Sequence, residues 1–139
     1  MNTGSTNEEL HSIKRFNMLS EGTIIALATP AGSGAIGVIR LSGPDAFEIT
    51  KVFFRPKSKK PLDEISVKTT TLGSFTVDGE IIDEVLLTKF NKPHSYTGEN
   101  IVEIACHGSS YIQQKIITSY LDLGIKPAQP GEFTLRAYL

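Results

Sequence analysis

The sequence predicts an α+β domain: a mixed, mostly antiparallel sheet with flanking helices. Two β-rich arms in "SVKTTTLGSFTVDGEIIDEVLLTKF" flank Asp78-Gly79, a dipeptide that accepts the positive φ values of a type I′ turn. A two-residue turn forces its strands to run antiparallel. Strand-like and helix-like stretches are interleaved along the rest of the chain, so a hairpin among them excludes an all-parallel, doubly wound sheet.

Composition narrows the class. A chain of 139 residues is one ordinary domain, able to bury about two-thirds of its unfolded surface. Fourteen basic against fifteen acidic residues, with a pI near 6.3, give no global footprint for nucleic acid or an anionic membrane. Any RNA contact must therefore be local or lie outside this chain. The single cysteine, Cys106, excludes an internal disulfide and a thiolate zinc cluster, and it points to a reducing, cytoplasmic setting. No apolar stretch approaches the ~20 residues that span a bilayer, and the polar start "MNTGSTNEEL" lacks a signal-peptide layout. No membrane association is expected.

Residues 1–20 are expected to be a flexible N-terminal extension, in which Leu10, Ile13, Phe16 and Leu19 form a weak amphipathic pattern and Met18 is an alternative start. The domain proper is expected over 21–139. Residues 23–28 and 35–41 read as strands around a glycine-dense loop. Gly32, Gly34 and Gly37 there match G-x-G-x-x-G, the dinucleotide fingerprint, which requires a helix after the loop. The β-branched run "AIGVIRL" leaves as a strand instead. The glycines are read as letting backbone approach a flat ligand closely. A helix over roughly 44–54 follows, capped by Ser42 or Gly43 with Pro44 in its first turn, and offers Phe47, Val52 and Phe53 to the core. "RPKSKKP" ends it as a basic loop, read as solvated, with a phosphate-contacting patch made by Arg55, Lys57, Lys59 and Lys60 as the alternative.

After the hairpin, "NKPHSYTGEN" reads as a loop and "IVEIACHG" as an alternating strand. Ile101, Glu103 and Ala105 share one face of it; Val102, Ile104 and Cys106 share the other. "SSYIQQKIITSYLDLG" reads as an amphipathic helix with serines for an N-cap, a core stripe of Ile112, Ile116, Tyr120 and Leu123, and Gly124 as its stop. The short segment "IKPA" leads to "PGEFTLRAYL", which opens another helix still running at Leu139.

The chain carries no G-x-x-x-x-G-K-S/T loop, no H-E-x-x-H and no G-x-S-x-G elbow, so no catalytic residue is assigned. His11, His94 and His107 are too scattered for a local metal site, and no metal is expected. His107 is read as a strand-end residue bonded to backbone, and Cys106 as a buried, inert thiol. Arg40 and Glu103 are the informative charges. Isolated charges in apolar strands commonly face solvent, but when buried they must be paired or meet a ligand, because stripping a lone ion of water costs several kcal/mol. A cleft containing both is the sharper reading.

Three separated stretches, "TIIALATPAGSGAIGVIRLSGP", "SYTGENIVEIACHG" and "PGEFTLRAYL", together resemble the N-terminal domain of the tRNA modification GTPase family known as MnmE or TrmE. The resemblance covers roughly 21–139. It implies a fold like the folate-binding domain of aminomethyltransferases, a bound 5-formyltetrahydrofolate or related tetrahydrofolate, and a homodimer. It implies, for the full-length family, a Ras-like GTPase domain using GTP, Mg and K, and an FAD-dependent MnmG-type partner with which C5 of the wobble uridine of certain tRNAs is modified. The family's folate-binding Arg matches Arg40 and its Glu matches Glu103. Two departures stand out: Ser109 replaces a second glycine after His107-Gly108, and the chain stops before an N-G-K-x-D-L-like run whose Lys belongs to that site. This segment alone is therefore not expected to hydrolyse GTP. The alternatives are a dimerisation-only module without ligand and a dinucleotide-binding oxidoreductase.

Overall fold

In the computed structural model residues 22–30 and 34–138 are described. The expected tail at 1–20, Met18, His11 and Gly32 fall outside them. β1 (Ile24–Leu27) and β2 (Ile36–Ser42) lie close to the expected bounds. They pair antiparallel, with Ala26 opposite Arg40. β4 (Thr71–Val77) and β5 (Glu80–Phe90) form the hairpin, and Asp78 and Gly79 take φ values of 52° and 79° as the type I′ turn requires.

The region between β2 and β4 departs from expectation. Helix α1 covers only Ala46–Thr50, and Phe54–Pro56 form β3, antiparallel to β4 with Phe54 opposite Phe75. The aromatic run after Thr50 gains more from the sheet than from another helical turn. Phe53 and Phe54 are buried, Phe47 packs against the core, and Val52 is 45% exposed rather than internal. Arg55 and Pro56 of the basic stretch thus belong to an edge strand, followed by a short 3-10 turn at Leu62–Glu64. Ser42 does not cap α1; it ends β2, and the N-cap position is Asp45.

β6 (Ile101–His107) pairs antiparallel with both β5 and β2. Helix α2 (Ser110–Asp122) is capped by the Ser109 hydroxyl, which accepts from Ile112 N at 3.4 Å, and Gly124 stops it with φ 96°. The segment read as a bare connection contains β7 (Lys126–Pro127), parallel to β1, and α3 (Glu132–Ala137) follows. The sheet order is β3-β4-β5-β6-β2-β1-β7. It is mixed and mostly antiparallel, as the α+β reading requires.

The two faces of the sheet have different fates. Ile39, Leu41, Val102, Ile104, Val85 and Leu87 meet α1 and α2 in one core, joined by Ile116 and Tyr120 as the helical stripe predicts. Each such burial contributes roughly 1.5–3 kcal/mol. The Tyr120 hydroxyl satisfies itself at Thr50 Oγ1, 2.9 Å away, and burial pushes its pKa far up. Lys89 enters the same side of β5; its ammonium donates to Leu62 O at 2.7 Å, and burial lowers its pKa. The opposite face carries Val38, Arg40, Glu103, Ala105, Leu86 and Leu72 in register across four strands, with Leu86 and Leu72 more than a third exposed.

The glycines near the loop have an internal explanation. A Cβ on Gly37 would lie 2.5 Å from the buried Gln113 amide of α2, and one on Gly108 would lie 1.8 Å from Gly34 O. They let a helix side chain and two backbone segments come together. Gly37 and Gly108 are therefore required by packing within the chain, whereas the Cβ position of Gly34 faces open space.

Candidate functional site

β2 and β6 place Arg40 and Glu103 directly opposite each other on the open face. Arg40 Nε donates to Glu103 Oε2 at 2.8 Å, and Nη2 lies 2.7 Å from the same oxygen in an ion pair. The side chains are 25% and 28% exposed, so the pair is partly desolvated yet reachable. Because both contacts converge on one oxygen, Oε1 of Glu103 and Nη1 of Arg40 have no hydrogen-bonding partner among the described residues. The structure thus joins the two candidate residues, 63 positions apart in the chain.

Two aromatic rings complete the surroundings. The guanidinium carbon lies 5.8 Å from the ring centre of Tyr96 and 5.6 Å from that of Phe133, within reach of a cation–π attraction. A cleft of about 480 Å³ opens here, lined by Leu27, Arg40, Tyr96, Pro130, Phe133 and Thr134 among others. Tyr96 Oη and Thr134 Oγ1, 3.1 Å apart, tie the 91–100 loop to α3 across it. Glu103 stands beside the cleft rather than in its lining. A larger hollow of about 670 Å³ lies between the hairpin tip and α2, and neither Arg40 nor Glu103 touches it.

What holds α3 in place is a second ion pair that the sequence reading missed. Arg136 Nη1 donates to both Glu99 carboxylate oxygens at 3.0 and 3.2 Å, and Nη2 donates to Glu132 at 3.1 Å. Nη1 also donates to the carbonyl of Gly22 and, at 3.5 Å, to that of Ser42. The Ser42 hydroxyl donates to Glu99 Oε1 at 2.8 Å and lies 2.6 Å from Thr97 Oγ1. Glu99 and Arg136 sit in "SYTGEN" and "PGEFTLRAYL", the same stretches that carry the family resemblance. Opposite charges in two such stretches were the available signal.

His107 is bonded differently from the expectation. Its ring Nδ1 lies 2.7 Å from Asp83 Oδ1, and its backbone N–H donates to Asp83 Oδ2 at 2.9 Å. The partner is a buried carboxylate instead of backbone, and it closes the end of the β5–β6 ladder. Cys106 is buried as expected. Burial pushes its thiol pKa up to about 11, and the nearby Asp83 charge acts in the same direction. Thiolate is the reactive form, so native Cys106 is expected to react with a disulfide reagent at pH 8 on the order of a hundredfold more slowly than in the unfolded chain. Equal rates, followed by absorbance, would show that the thiol is accessible.

Among the described residues no group of three or more His, Cys, Asp or Glu side chains could hold a metal ion, and no helix is long and apolar enough to cross a membrane. Residues 23–139 match the family described as GTP-binding protein TrmE N-terminus. A tRNA modification GTPase MnmE of Christiangramia forsetii is 55% identical over 118 residues, which are 84% of this chain and 25% of that protein. The corresponding protein of Bacteroides fragilis is 51% identical over 122 residues, 87% of this chain and 26% of its own. That of Carboxydothermus hydrogenoformans is 45% identical over 123 residues, covering 87% and 27%. The chain spans about a quarter of the length of these curated relatives.

Proposed function

The chain belongs to the TrmE N-terminus family, and from that premise we propose that its cleft binds a tetrahydrofolate of the 5-formyl type. In this reading the domain is the folate-binding and dimerising part of a cytoplasmic GTPase. With an FAD-dependent MnmG-type partner, that GTPase modifies C5 of the wobble uridine of certain tRNAs. GTP, Mg and K then belong elsewhere in such a protein, since this sequence has no phosphate loop.

The observation that carries the ligand reading is the Arg40–Glu103 pair at the edge of an aromatic-walled cleft. A pterin offers an N–H and an amino group side by side, which a carboxylate oxygen suits, and a flat ring suits walls made by Tyr96 and Phe133. The remaining guanidinium N–H donors of Arg40 suit a carbonyl or carboxylate of the same ligand. A volume of about 480 Å³ lies within the ~300–1,000 Å³ usual for small-molecule sites. Held there, the folate would supply a one-carbon unit, while these side chains bind and orient it. The homodimer reading is supported by Ile36, Leu72 and Leu86, exposed by 61%, 37% and 43% on the uncovered side of the sheet, since a two-fold contact buries one such patch against its copy.

Calorimetric titration of 5-formyltetrahydrofolate tests the proposal. A charge-assisted hydrogen bond contributes about 1.5–3 kcal/mol, so Glu103→Gln and Arg40→Ala are each expected to weaken binding roughly tenfold to a hundredfold. Lys59→Ala, in the basic stretch away from the cleft, is expected to leave it unchanged. Equal affinities in all four proteins, or no heat with the parent chain, would overturn the folate reading; the second result would favour a dimerisation-only module.

A further inference from the structure

Resting on the tRNA-modification reading above, we propose that the cationic loop after β3, together with the hydroxyl-lined groove beside it, holds the phosphate backbone of RNA. Residues 51–68 carry six basic and two acidic side chains, in a chain whose net charge is −1. One of the two acids, Asp63, is engaged by Lys51 at 2.8 Å, and Lys51 is paired with Glu48 as well. Among the described residues Arg55, Lys57, Lys59 and Lys60 take part in no ion pair. Four unneutralised cations within six positions are a local field of the kind that the neutral composition of the whole chain conceals.

The cations are presented from a fixed backbone. Pro56 is in register with Gly73, Lys57 N donates to Leu72 O at 3.0 Å, and Lys59 N donates to Pro56 O at 3.0 Å. Lys59 takes φ 66°, a left-handed conformation that disfavours a residue with a Cβ and that glycine would adopt freely. Lysine stands there instead, keeping the charge. Alongside runs a groove of about 390 Å³ lined by Lys57, Ser58, Lys60, Ser66, Thr70 and Thr71, with Glu64 as its one carboxylate. Lysines with Ser and Thr hydroxyls are the side chains that contact phosphates and sugars without reading bases.

The stretch Arg55–Lys60 contains no aromatic or large aliphatic side chain, so it has nothing to insert into a bilayer as interfacial segments do. Polyanion recognition at a polar surface is the better fit. β3 is an edge strand four places from β2 in the sheet, about 19 Å at the ~4.8 Å strand spacing. RNA held at this edge would leave the Arg40 cleft open.

The experiment measures binding of fluorescently labelled, unfractionated tRNA to the chain from 50 to 200 mM salt. The proteins are the parent, the triple substitution Lys57→Gln/Lys59→Asn/Lys60→Gln, the charge-keeping triple Lys57→Arg/Lys59→Arg/Lys60→Arg, and Lys126→Gln at the opposite edge. Three lost phosphate contacts should lower the slope of log K against log salt by about two to three, and the affinity by roughly one to two orders of magnitude near 0.1 M salt. The arginine variant and Lys126→Gln should match the parent. Unchanged affinity and slope in the neutral triple variant, or binding to vesicles of three parts neutral to one part anionic phospholipid without binding to tRNA, would overturn the inference. A parent chain that binds no tRNA would do the same. The folate titration is independent: folate binding without a loop effect on tRNA removes this inference alone, and a loop effect without folate binding removes the folate reading alone.

Discussion

Gly43→Ala is expected to lower the melting temperature by about 10 °C or more. Gly43 has φ 143°, which only glycine adopts without strain, and its N–H donates to Asn100 O at 2.9 Å. A Cβ there would lie 2.5 Å from Thr23 Cα and 2.6 Å from Gly22 O, both backbone atoms. Neither can turn aside as a flexible side-chain tip would. Overpacking against fixed atoms together with backbone strain costs about 3 kcal/mol or more, and in a domain of this size each kcal/mol moves the midpoint by roughly 3–5 °C. Gly98→Ala is the control. Gly98 has φ 79° but open space around its Cβ position, so only the left-handed cost of roughly 1–2 kcal/mol applies. Thermal melts of the two variants separate strain from contact, and equal losses would refute the packing argument.

Arg136→Met is expected to destabilise the chain by about 2–4 kcal/mol and to weaken folate binding at least tenfold, although Arg136 does not line the cleft. The Arg136 side chain is 15% exposed, and its removal leaves the Glu99 carboxylate without its cation, with only the Ser42 hydroxyl still donating to it, and the Gly22 carbonyl without this donor. Breaking a buried pair by removing one partner costs about 3–5 kcal/mol, and Glu99, being 32% exposed, recovers part of that from water. The consequence for binding follows from position: α3 carries Phe133 and Thr134, two walls of the cleft, and Arg136 is its main tie to β2 and to the 91–100 loop. Arg136→Lys is expected to rescue little, since one ammonium cannot span the carboxylate, the carbonyls and Glu132 at once. Melting curves and folate titrations on the same samples provide the check. Normal stability with lost binding would show that Arg136 acts on the ligand directly.

Where neighbours in sequence suffice, the chain could be read directly. Asp78-Gly79 signals its turn, the alternation of Ile101–His107 separates Glu103 from Ile104, and the Ile116–Tyr120 stripe with Ser109 and Gly124 delimits α2. The presence of α1 was legible, but its early end at Thr50 and the strand β3 after it were not. "AFEITKVFFRP" suits a continuous helix, and only the presence of β4, with Phe75 opposite Phe54, makes the second half a strand. The two residues of β7 could not be found either, because a pairing of that length is set by β1 beside it and not by its own composition.

The site divides along the same line. By itself the sequence determined that Arg40 and Glu103 are charges set in apolar strands, that Cys106 faces inward, and that three motifs tie the chain to one family. The tertiary structure alone decided that Arg40 and Glu103 bond to each other, that Tyr96 and Phe133 wall the cleft, and that Glu99 and Arg136 hold α3 in place. The physical reason is range. Turns, caps and strand alternation are settled by sterics and burial within a few residues, whereas an ion pair across 63 or 37 positions exists only once the sheet has brought its two halves within 3 Å.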